Sequence, residues 1–153
     1  MRVLELKVPP PAVALVAAAL MWLIARAIPA LRFPLPARDL VAISFALAGF
    51  VTSVLGVVSF RRAGTTLNPM KPESSSSLVA VGIYWRTRNP MYLGLLLVLV
   101  GWALFLSSVA AVLVLPAFIL YLNRFQIEPE ERVLAALFGQ AYTTYKARVR
   151  RWL

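Results

Sequence analysis

Two polar clusters, with residue types suited to binding a charged ligand, flank one long apolar stretch. The first is Arg86-Thr87-Arg88-Asn89-Pro90-Met91-Tyr92-Leu93-Gly94, and the second is Glu128-Pro129-Glu130-Glu131. Guanidinium groups beside a helix N-terminus favour an anionic group, and a carboxylate can bind an amine or a hydroxyl. The 35 residues from 89 to 123 carry no charged side chain. If this stretch folds back on itself, both clusters meet at one membrane face, where a charged cofactor could meet a lipid-soluble substrate.

Both clusters also have ordinary structural explanations. Pro90 suits the first position of a helix because its missing N–H would be unsatisfied there, and Asn89 can cap that helix. Acidic residues such as Glu130 and Glu131 complement the dipole of a helix in its first turn. These residue types alone therefore leave the structural and the functional interpretations open.

The composition indicates a membrane protein. The 153 residues are 61% hydrophobic and only 14% charged, whereas soluble domains have about 25% charged residues. The chain has neither cysteine nor histidine, which excludes thiol chemistry and removes the commonest general base and metal ligand. We therefore predict one membrane domain, residues 1–153, without a metal site. The net charge of +10 does not indicate nucleic acid, because the basic residues fall between apolar segments.

Four membrane spans are predicted, at residues 11–30, 40–60, 90–106 and 109–123. The uncharged stretch would be about 52 Å long as one helix, against a hydrocarbon core of about 30 Å. A hairpin with its turn at Ser107-Ser108 resolves the excess length, and Pro116 would kink its second arm. A single tilted helix is the alternative.

The distribution of positive charge favours the hairpin. With four spans, 13 basic residues lie on one side of the membrane and only Arg32 and Arg38 lie in segments on the other. Cytoplasmic segments are enriched in lysine and arginine, so both termini are predicted to be cytoplasmic, in a bacterial inner membrane. The basic residues on the cytoplasmic side are Arg2, Lys7, Arg61, Arg62, Lys71, Arg86, Arg88, Arg124, Arg132, Lys146, Arg148, Arg150 and Arg151.

An amphipathic helix is predicted after the last span. Apolar residues recur there with a period near 3.6, and Pro129 suits the start of the helix. Gly139 is unfavourable inside a helix and indicates either close packing or a break. The predicted fold class is thus an all-α integral membrane protein with about four transmembrane helices, the last two a hairpin, and a C-terminal amphipathic cytoplasmic helix. Residues 61–77 are predicted to form the main cytoplasmic loop. The apolar positions of the helix are Val133, Leu134, Leu137, Phe138, Ala141, Tyr142 and Tyr145.

Taken together, these residues resemble the isoprenylcysteine carboxyl methyltransferase and phospholipid methyltransferase superfamily. Their order and spacing match the family pattern over residues 64–152, and Thr65-Thr66 and Asn68-Pro69 resemble bacterial members. The matching residues are Leu78, Val79, Gly82, Tyr84, Arg88, Pro90, Tyr92, Gly94, Glu130, Glu131, Leu134, Phe138, Gly139, Tyr142, Tyr145 and Val149.

The resemblance implies a membrane enzyme that uses S-adenosylmethionine, bound at the cytoplasmic ends of the last two helices beneath the C-terminal helix. It implies transfer of a methyl group to a lipophilic acceptor, a carboxylate or an amine, that enters from the membrane lipids. It assigns no catalytic residue. The positions that it implies for the cofactor pocket are Leu78, Val79, Tyr84, Asn89, Pro90, Met91, Tyr92 and Glu130.

Two positions depart from the family pattern. The family usually has histidine where this chain has Asn89, and asparagine cannot carry a proton near neutral pH. The eukaryotic prenylcysteine enzymes have an arginine, associated with substrate, where this chain has Gln126; Arg124 is close enough in sequence to replace it. Arg124 and Gln126 are therefore the candidate substrate-binding residues, and a prenylcysteine carboxylate is in doubt as the substrate.

Two other functions are consistent with the sequence. Membrane sterol reductases share a related Arg-His-Pro-x-Tyr-x-Gly segment but use a nicotinamide cofactor, and this chain is short for their larger bundle. A non-catalytic membrane protein that binds lipid or a partner through its basic face is the second alternative.

Overall fold

The computed structural model describes residues 5–64 and 72–153, and this part of the chain contains helices and no β-strand. Three short 3₁₀ helices, Pro29–Leu31, Pro72–Ser74 and Gly82–Trp85, lie in the connections, and one π-helical turn, Asn123–Ile127, precedes the last helix. The α-helices are α1 Pro10–Ala27, α2 Arg38–Arg62, α3 Pro90–Leu106, α4 Val109–Val112, α5 Val114–Leu122 and α6 Glu128–Arg148.

Three helical segments are long and apolar enough to cross a membrane: α1, α2 and the continuous run Val109–Arg148. The apolar part of that run ends before Glu128, where α6 begins. The fourth apolar helix, α3, has 17 residues and is about 25 Å long, slightly less than the hydrocarbon core. Large apolar side chains on α1 and α2 are exposed, as expected for lipid-facing surfaces. The predicted class of all-α integral membrane protein is confirmed.

The predicted hairpin is present, with its turn at Ser107-Ser108. Ser107 adopts a left-handed conformation at the end of α3, and the Ser108 hydroxyl accepts a hydrogen bond from the Ala111 amide. The second arm is interrupted at Leu113. This break lies three residues before Pro116, whose ring nitrogen cannot donate to the preceding turn.

Helices α2 and α3 pack closely because small residues line their contact. A Cβ atom added to Gly94 would lie 2.1 Å from the Ser53 hydroxyl oxygen and 2.5 Å from the Gly49 carbonyl oxygen. Close approach through small residues is a common way for membrane helices to associate. Gly94 therefore fixes where the first turn of α3 lies against α2.

The buried core lies between α1, α3 and α5. Met21, Leu99 and Leu122 are at most 2% exposed and belong to one apolar cluster. The Trp102 indole N–H donates to the Ala18 carbonyl across 3.0 Å. This core holds the hairpin against α1.

One sequence expectation needs adjustment, and others fall outside the described residues. Helix α2 continues to Arg62, two residues beyond the predicted span, so it includes the first two residues of the predicted loop. The motifs Thr65-Thr66 and Asn68-Pro69, and the centre of the predicted loop, lie outside the described residues.

At Gly139 the backbone leaves the helical conformation, with φ 49° and ψ −123°. Nothing would contact a Cβ atom there, so of the two explanations predicted for Gly139, the break is correct.

Candidate functional site

A cavity lies at the start of α3, enclosed by the segment before α3 and by α6. Seven of the eight positions implied for a cofactor pocket line this single cavity: Leu78, Val79, Tyr84, Asn89, Met91, Tyr92 and Glu130. The exception is Pro90, which is buried as the first residue of α3. Its fixed backbone angle and missing N–H suit that position, so it starts the helix whose first turn forms the cavity wall.

Other residues line the same cavity without having been assigned to the pocket from the sequence. Leu134, Tyr142 and Tyr145 carry the family pattern, and their spacing on one face of α6 was the signal that placed them together. Phe60, at the end of α2, had no such signal, because a phenylalanine in an apolar span is not distinctive. The remaining residues of this group are Pro72, Ser75, Ser77, Arg88, Ile127 and Glu131.

The residues after α6 hold the segment before α3 in place. The Arg88 amide donates to the Arg150 carbonyl at 3.0 Å, and the Thr87 hydroxyl donates to the Arg151 carbonyl at 3.3 Å. The Tyr145 hydroxyl donates to the Tyr84 carbonyl at 2.7 Å. These bonds tie α6 and the residues that follow it to the cavity wall opposite.

Asn89 has a structural role besides its place in the cavity wall. Its side-chain NH₂ donates to the Arg151 carbonyl at 2.9 Å. One end of the amide is therefore used to fix the chain after α6, and the side-chain oxygen is its remaining polar group. The departure from the family histidine thus falls on a residue that positions the backbone around the cavity.

Glu131 is the centre of an ion-pair cluster. Its carboxylate lies 3.1 Å from Arg88 Nη2, 3.0 Å from Lys146 Nζ and 2.9 Å from Arg151 Nη2. Burial by itself would raise the pKa of Glu131. Hydrogen bonds from Arg151 and Lys146 act in the opposite direction, and the net pKa lies below its usual range. Glu131 therefore stays charged and joins the start of α3 to both ends of α6.

Glu130 has a different environment although it is the adjacent residue. Its carboxylate accepts a short hydrogen bond from the Tyr92 hydroxyl, and no basic side chain in the described part of the chain pairs with it. Burial raises its pKa to about 8, with the Tyr92 hydrogen bond opposing the rise and the Glu131 charge adding to it. Glu130 is thus a carboxyl group at the cavity without a cationic partner.

Arg88 is a buried cation with unused hydrogen-bond donors. Its side chain is 9% exposed and pairs with Glu131 through Nη2, but its Nε and Nη1 have no hydrogen-bond partner. Buried donors without partners are costly, so they indicate that a ligand group or water completes the site. Arg86, which the sequence offered equally for an anion, instead lies over the Trp85 ring, 4.3 Å from its centre, and is exposed.

The two candidate substrate-binding residues, Arg124 and Gln126, lie in the π-helical turn after α5. Neither of them lines this cavity. Arg124 donates to Glu5 at 3.0 Å. The Gln126 side chain is fully buried and donates to the Val8 carbonyl at 2.6 Å, while its amide oxygen has no partner. Both residues contact the segment before α1, and their role with substrate stays a prediction.

Comparison with known proteins identifies the family of the chain. The phospholipid methyltransferase family matches residues 37–141, which include the first turn of α3 and Glu130. An uncharacterized protein of Haemophilus influenzae is 51% identical over 63 residues, which are 41% of this chain and all of that protein. No solved structure matches the chain. The chain belongs to the phospholipid methyltransferase family.

Proposed function

We propose that the cavity at the start of α3 binds S-adenosylmethionine and that the protein transfers its methyl group to a lipophilic acceptor. Family membership supports methyl transfer by a membrane protein in general. The observation that carries the cofactor assignment is a pair of groups in the cavity wall: Glu130, a carboxyl group without a cationic partner, and Arg88, a cation with unused N–H donors. An amino-acid moiety, with one ammonium and one carboxylate, is the chemistry that would satisfy both.

The remaining cavity wall suits the less polar part of such a cofactor. Leu78, Val79 and Ile127 provide apolar surface, and Tyr84 is 5% exposed with its ring edge-on to Phe60 at 5.2 Å. Apolar and aromatic walls with few polar groups are typical of cofactor sites. Glu130 and Arg88 would orient the charged end, and the apolar wall would keep water from the reacting methyl group.

The cavity must widen to accept the whole cofactor. It encloses about 100 Å³, whereas pockets for small molecules usually enclose about 300–1,000 Å³. The hydrogen bond between Tyr145 and Tyr84 joins α6 to the opposite wall of the cavity. Breaking this bond would allow the two walls to separate. In this proposal α6 moves when the cofactor binds.

When bound, S-adenosylmethionine supplies a methyl group already activated by a sulfonium. The chain then has to hold the acceptor in line and exclude water, and neither task requires a histidine. A carboxylate acceptor attacks without losing a proton, whereas an amine acceptor must first lose one. Glu131 is a poor base because three cations stabilise its charged form. We assign no residue to proton transfer.

The acceptor would enter laterally from the lipid, and both termini would be cytoplasmic in a bacterial inner membrane. The positive-inside distribution supports this orientation, because the cavity lies on the side with 13 of the basic residues. Arg124 and Gln126 stay the candidates for contact with the acceptor. A carboxylate and an amine are both compatible with the site.

The cofactor assignment can be tested by calorimetric titration of the detergent-purified protein with S-adenosylhomocysteine. Glu130→Gln removes the carboxylate while keeping the size of the side chain, and we expect affinity to fall by about tenfold or more, as for loss of a charge-assisted hydrogen bond. Glu128→Gln is the matched control, because Glu128 lies in the same helical turn but does not line the cavity.

Equal affinity in wild type and Glu130→Gln would show that Glu130 does not hold the cofactor. Absence of binding by folded wild-type protein would reject the cofactor itself, and nicotinamide cofactors would then be titrated. Incubation with methyl-labelled S-adenosylmethionine and extracted membrane lipids, with the Glu128→Gln variant alongside, would identify the acceptor class from the lipids that become labelled.

A further inference from the structure

A second cavity lies at the opposite end of α3 and is lined by three arginines. Arg26 comes from the last turn of α1, Arg32 from the α1–α2 connection and Arg38 from the first position of α2. The cavity encloses about 400 Å³, within the usual range for small-molecule sites. Since α3 has 17 residues, the two cavities are separated by about 25 Å along the helix and lie at opposite membrane faces.

The positive charge of this cavity is largely uncompensated. No lining residue is acidic, and in the described ranges neither Arg26 nor Arg32 forms an ion pair. Arg38 pairs with Asp39 at 3.2 Å, but both side chains are exposed, at 47% and 70%, so that pair contributes little. Three exposed arginines therefore line one cavity that has no acidic residue in its wall.

Two of the three arginines, Arg26 and Arg38, lie over aromatic rings. The Arg26 guanidinium lies 5.1 Å from the Trp22 ring centre, and that of Arg38 lies 5.2 Å from the Phe105 ring centre. Such contacts orient the cation and leave its N–H donors free for another acceptor. Trp22 and Phe105 also give the cavity apolar surface at the depth of the membrane interface.

The backbone around the cavity is fixed before any ligand binds. The Phe33 amide donates to the Ser107 carbonyl at 2.9 Å, and Arg32 forms an isolated β-bridge with Ser108. These contacts attach the α1–α2 connection to the hairpin turn. The cavity is thus a preformed site and not a gap between mobile segments.

The few positive charges on this face lie together. The residues on this side of the membrane with positive charge are Arg32 and Arg38, joined by Arg26 at the end of α1, and all three meet in one cavity. Cations that only flank spans would be spread along the interface and would be favoured on the other side. Their placement in the wall of one cavity favours the binding of an anion there.

We propose that this cavity binds the phosphate of an anionic membrane phospholipid in the leaflet opposite the methyltransferase site. Arginine forms multiple charge-assisted hydrogen bonds to phosphate oxygens. The apolar and aromatic surface of Trp22, Phe105 and Leu106 would contact the glycerol and the upper acyl chains. Phospholipid is the occupant that has this charge, this amphipathic character and this position.

The test uses purified full-length chain in neutral detergent with equimolar phosphatidylglycerol and phosphatidylcholine, analysed by native mass spectrometry. Wild-type protein should retain one phosphatidylglycerol molecule in preference to phosphatidylcholine. The Arg26→Gln/Arg32→Gln/Arg38→Gln variant should lose that preference by about tenfold, because its charge-assisted bonds to phosphate are gone. Arg61→Gln/Arg62→Gln/Arg148→Gln removes the same charge from exposed positions on the other face and should retain it.

Equal preference in wild type and the cavity variant would overturn the proposal. A free-phosphate site would be shown instead if inorganic phosphate displaced the lipid, and that result would reject the phospholipid. Binding of S-adenosylhomocysteine at the other face serves as a check that each variant is folded. If the triple variant does not fold, Arg32→Gln alone, which lies outside the helices, should weaken the preference measurably, and an unchanged preference would count against the site.

Discussion

Glu130 and Glu131 are adjacent carboxylates with opposite environments. Glu131 accepts bonds from Lys146 and Arg151, whereas Glu130 has the Tyr92 hydroxyl as its polar partner. Because consecutive residues of a helix point in different directions, one carboxylate can hold the fold together while the other faces the cavity. The resemblance named Glu130 and not Glu131 for the cofactor pocket, and that role stays a prediction. The cations around Glu131 come from the segment before α3 and from the end of α6 and beyond, so they could not be assigned from the sequence.

The raised pKa of Glu130 predicts proton release when the cofactor binds. With a pKa of about 8, the free carboxyl is mostly protonated at pH 7, whereas a bound ammonium favours the charged form. Binding at pH 7 should therefore release up to about one proton, and affinity should rise between pH 6 and 8. Calorimetry of S-adenosylhomocysteine binding in buffers of different ionisation enthalpy measures this release directly.

The Glu130→Gln variant is the control for that titration, since it has no carboxyl group to ionise at this position. Its residual binding should release no proton and should change little over the same pH range. Proton uptake by the wild type, or the same release from both proteins, would contradict the assignment of a cationic ligand group to Glu130.

At the scale of the elements, the position of α3 against α2 decides where the cavity at the start of α3 can form. Gly94 lies in the first turns of α3, close to Met91 and Tyr92 in the cavity wall. The need for a small residue there was predictable from the sequence, but its partners were not. Gly49 and Ser53 lie in an apolar span without a distinctive pattern, so the contact depends on a helix pairing that periodicity does not specify.

Gly94→Ala should destabilise the protein because its Cβ would lie 2.5 Å from the backbone oxygen of Gly49. A backbone atom cannot rotate away as a side chain can, so α2 and α3 must separate, at a cost of about 1–3 kcal/mol. Thermal unfolding in detergent should show a lower Tm together with weaker binding of S-adenosylhomocysteine. A variant as stable as wild type would mean that α2 and α3 do not pack as described.

Ser53→Ala in the Gly94→Ala background separates the two contacts. It removes the hydroxyl that lies 2.1 Å from the added Cβ but leaves the Gly49 carbonyl in place. Stability should therefore recover only in part. Complete recovery would assign the strain to the hydroxyl alone.

On the scale of the whole molecule, the site depends on a long-range closure by the chain after α6. Backbone carbonyls of Arg150 and Arg151 accept bonds from Arg88, Thr87 and Asn89. Composition, charge and hairpin length were enough to predict the membrane fold and to place both polar clusters at one face. Carbonyl acceptors have no residue-type signature, so this closure could not be predicted from the sequence.

Removing the charge of Glu131 should loosen that closure. Glu131→Gln leaves Arg88, which is 9% exposed, without its carboxylate, and loss of one partner from a buried ion pair costs about 3 kcal/mol or more. We expect a lower Tm and faster proteolysis after α6. Limited proteolysis with a lysine- and arginine-specific protease, followed by mass determination of the fragments, measures the second effect.

Glu128→Gln again provides the comparison, because Glu128 has one distant ion pair, with Arg124 at 3.9 Å. Its rate of cleavage should match wild type. If Glu131→Gln also cleaved at the wild-type rate, the ion-pair cluster would not be what holds the chain after α6.

The hydrogen bond between Thr87 and Arg151 joins positions 64 residues apart, and this separation has a consequence for biosynthesis. Helices α1, α2 and α3 can enter the bilayer while the ribosome is still translating α6. The segment that seals the cavity wall becomes available only after Arg151 has left the exit tunnel. A chain whose first three helices are already inserted would therefore lack the closed cavity wall, and with it affinity for the proposed cofactor, until that point.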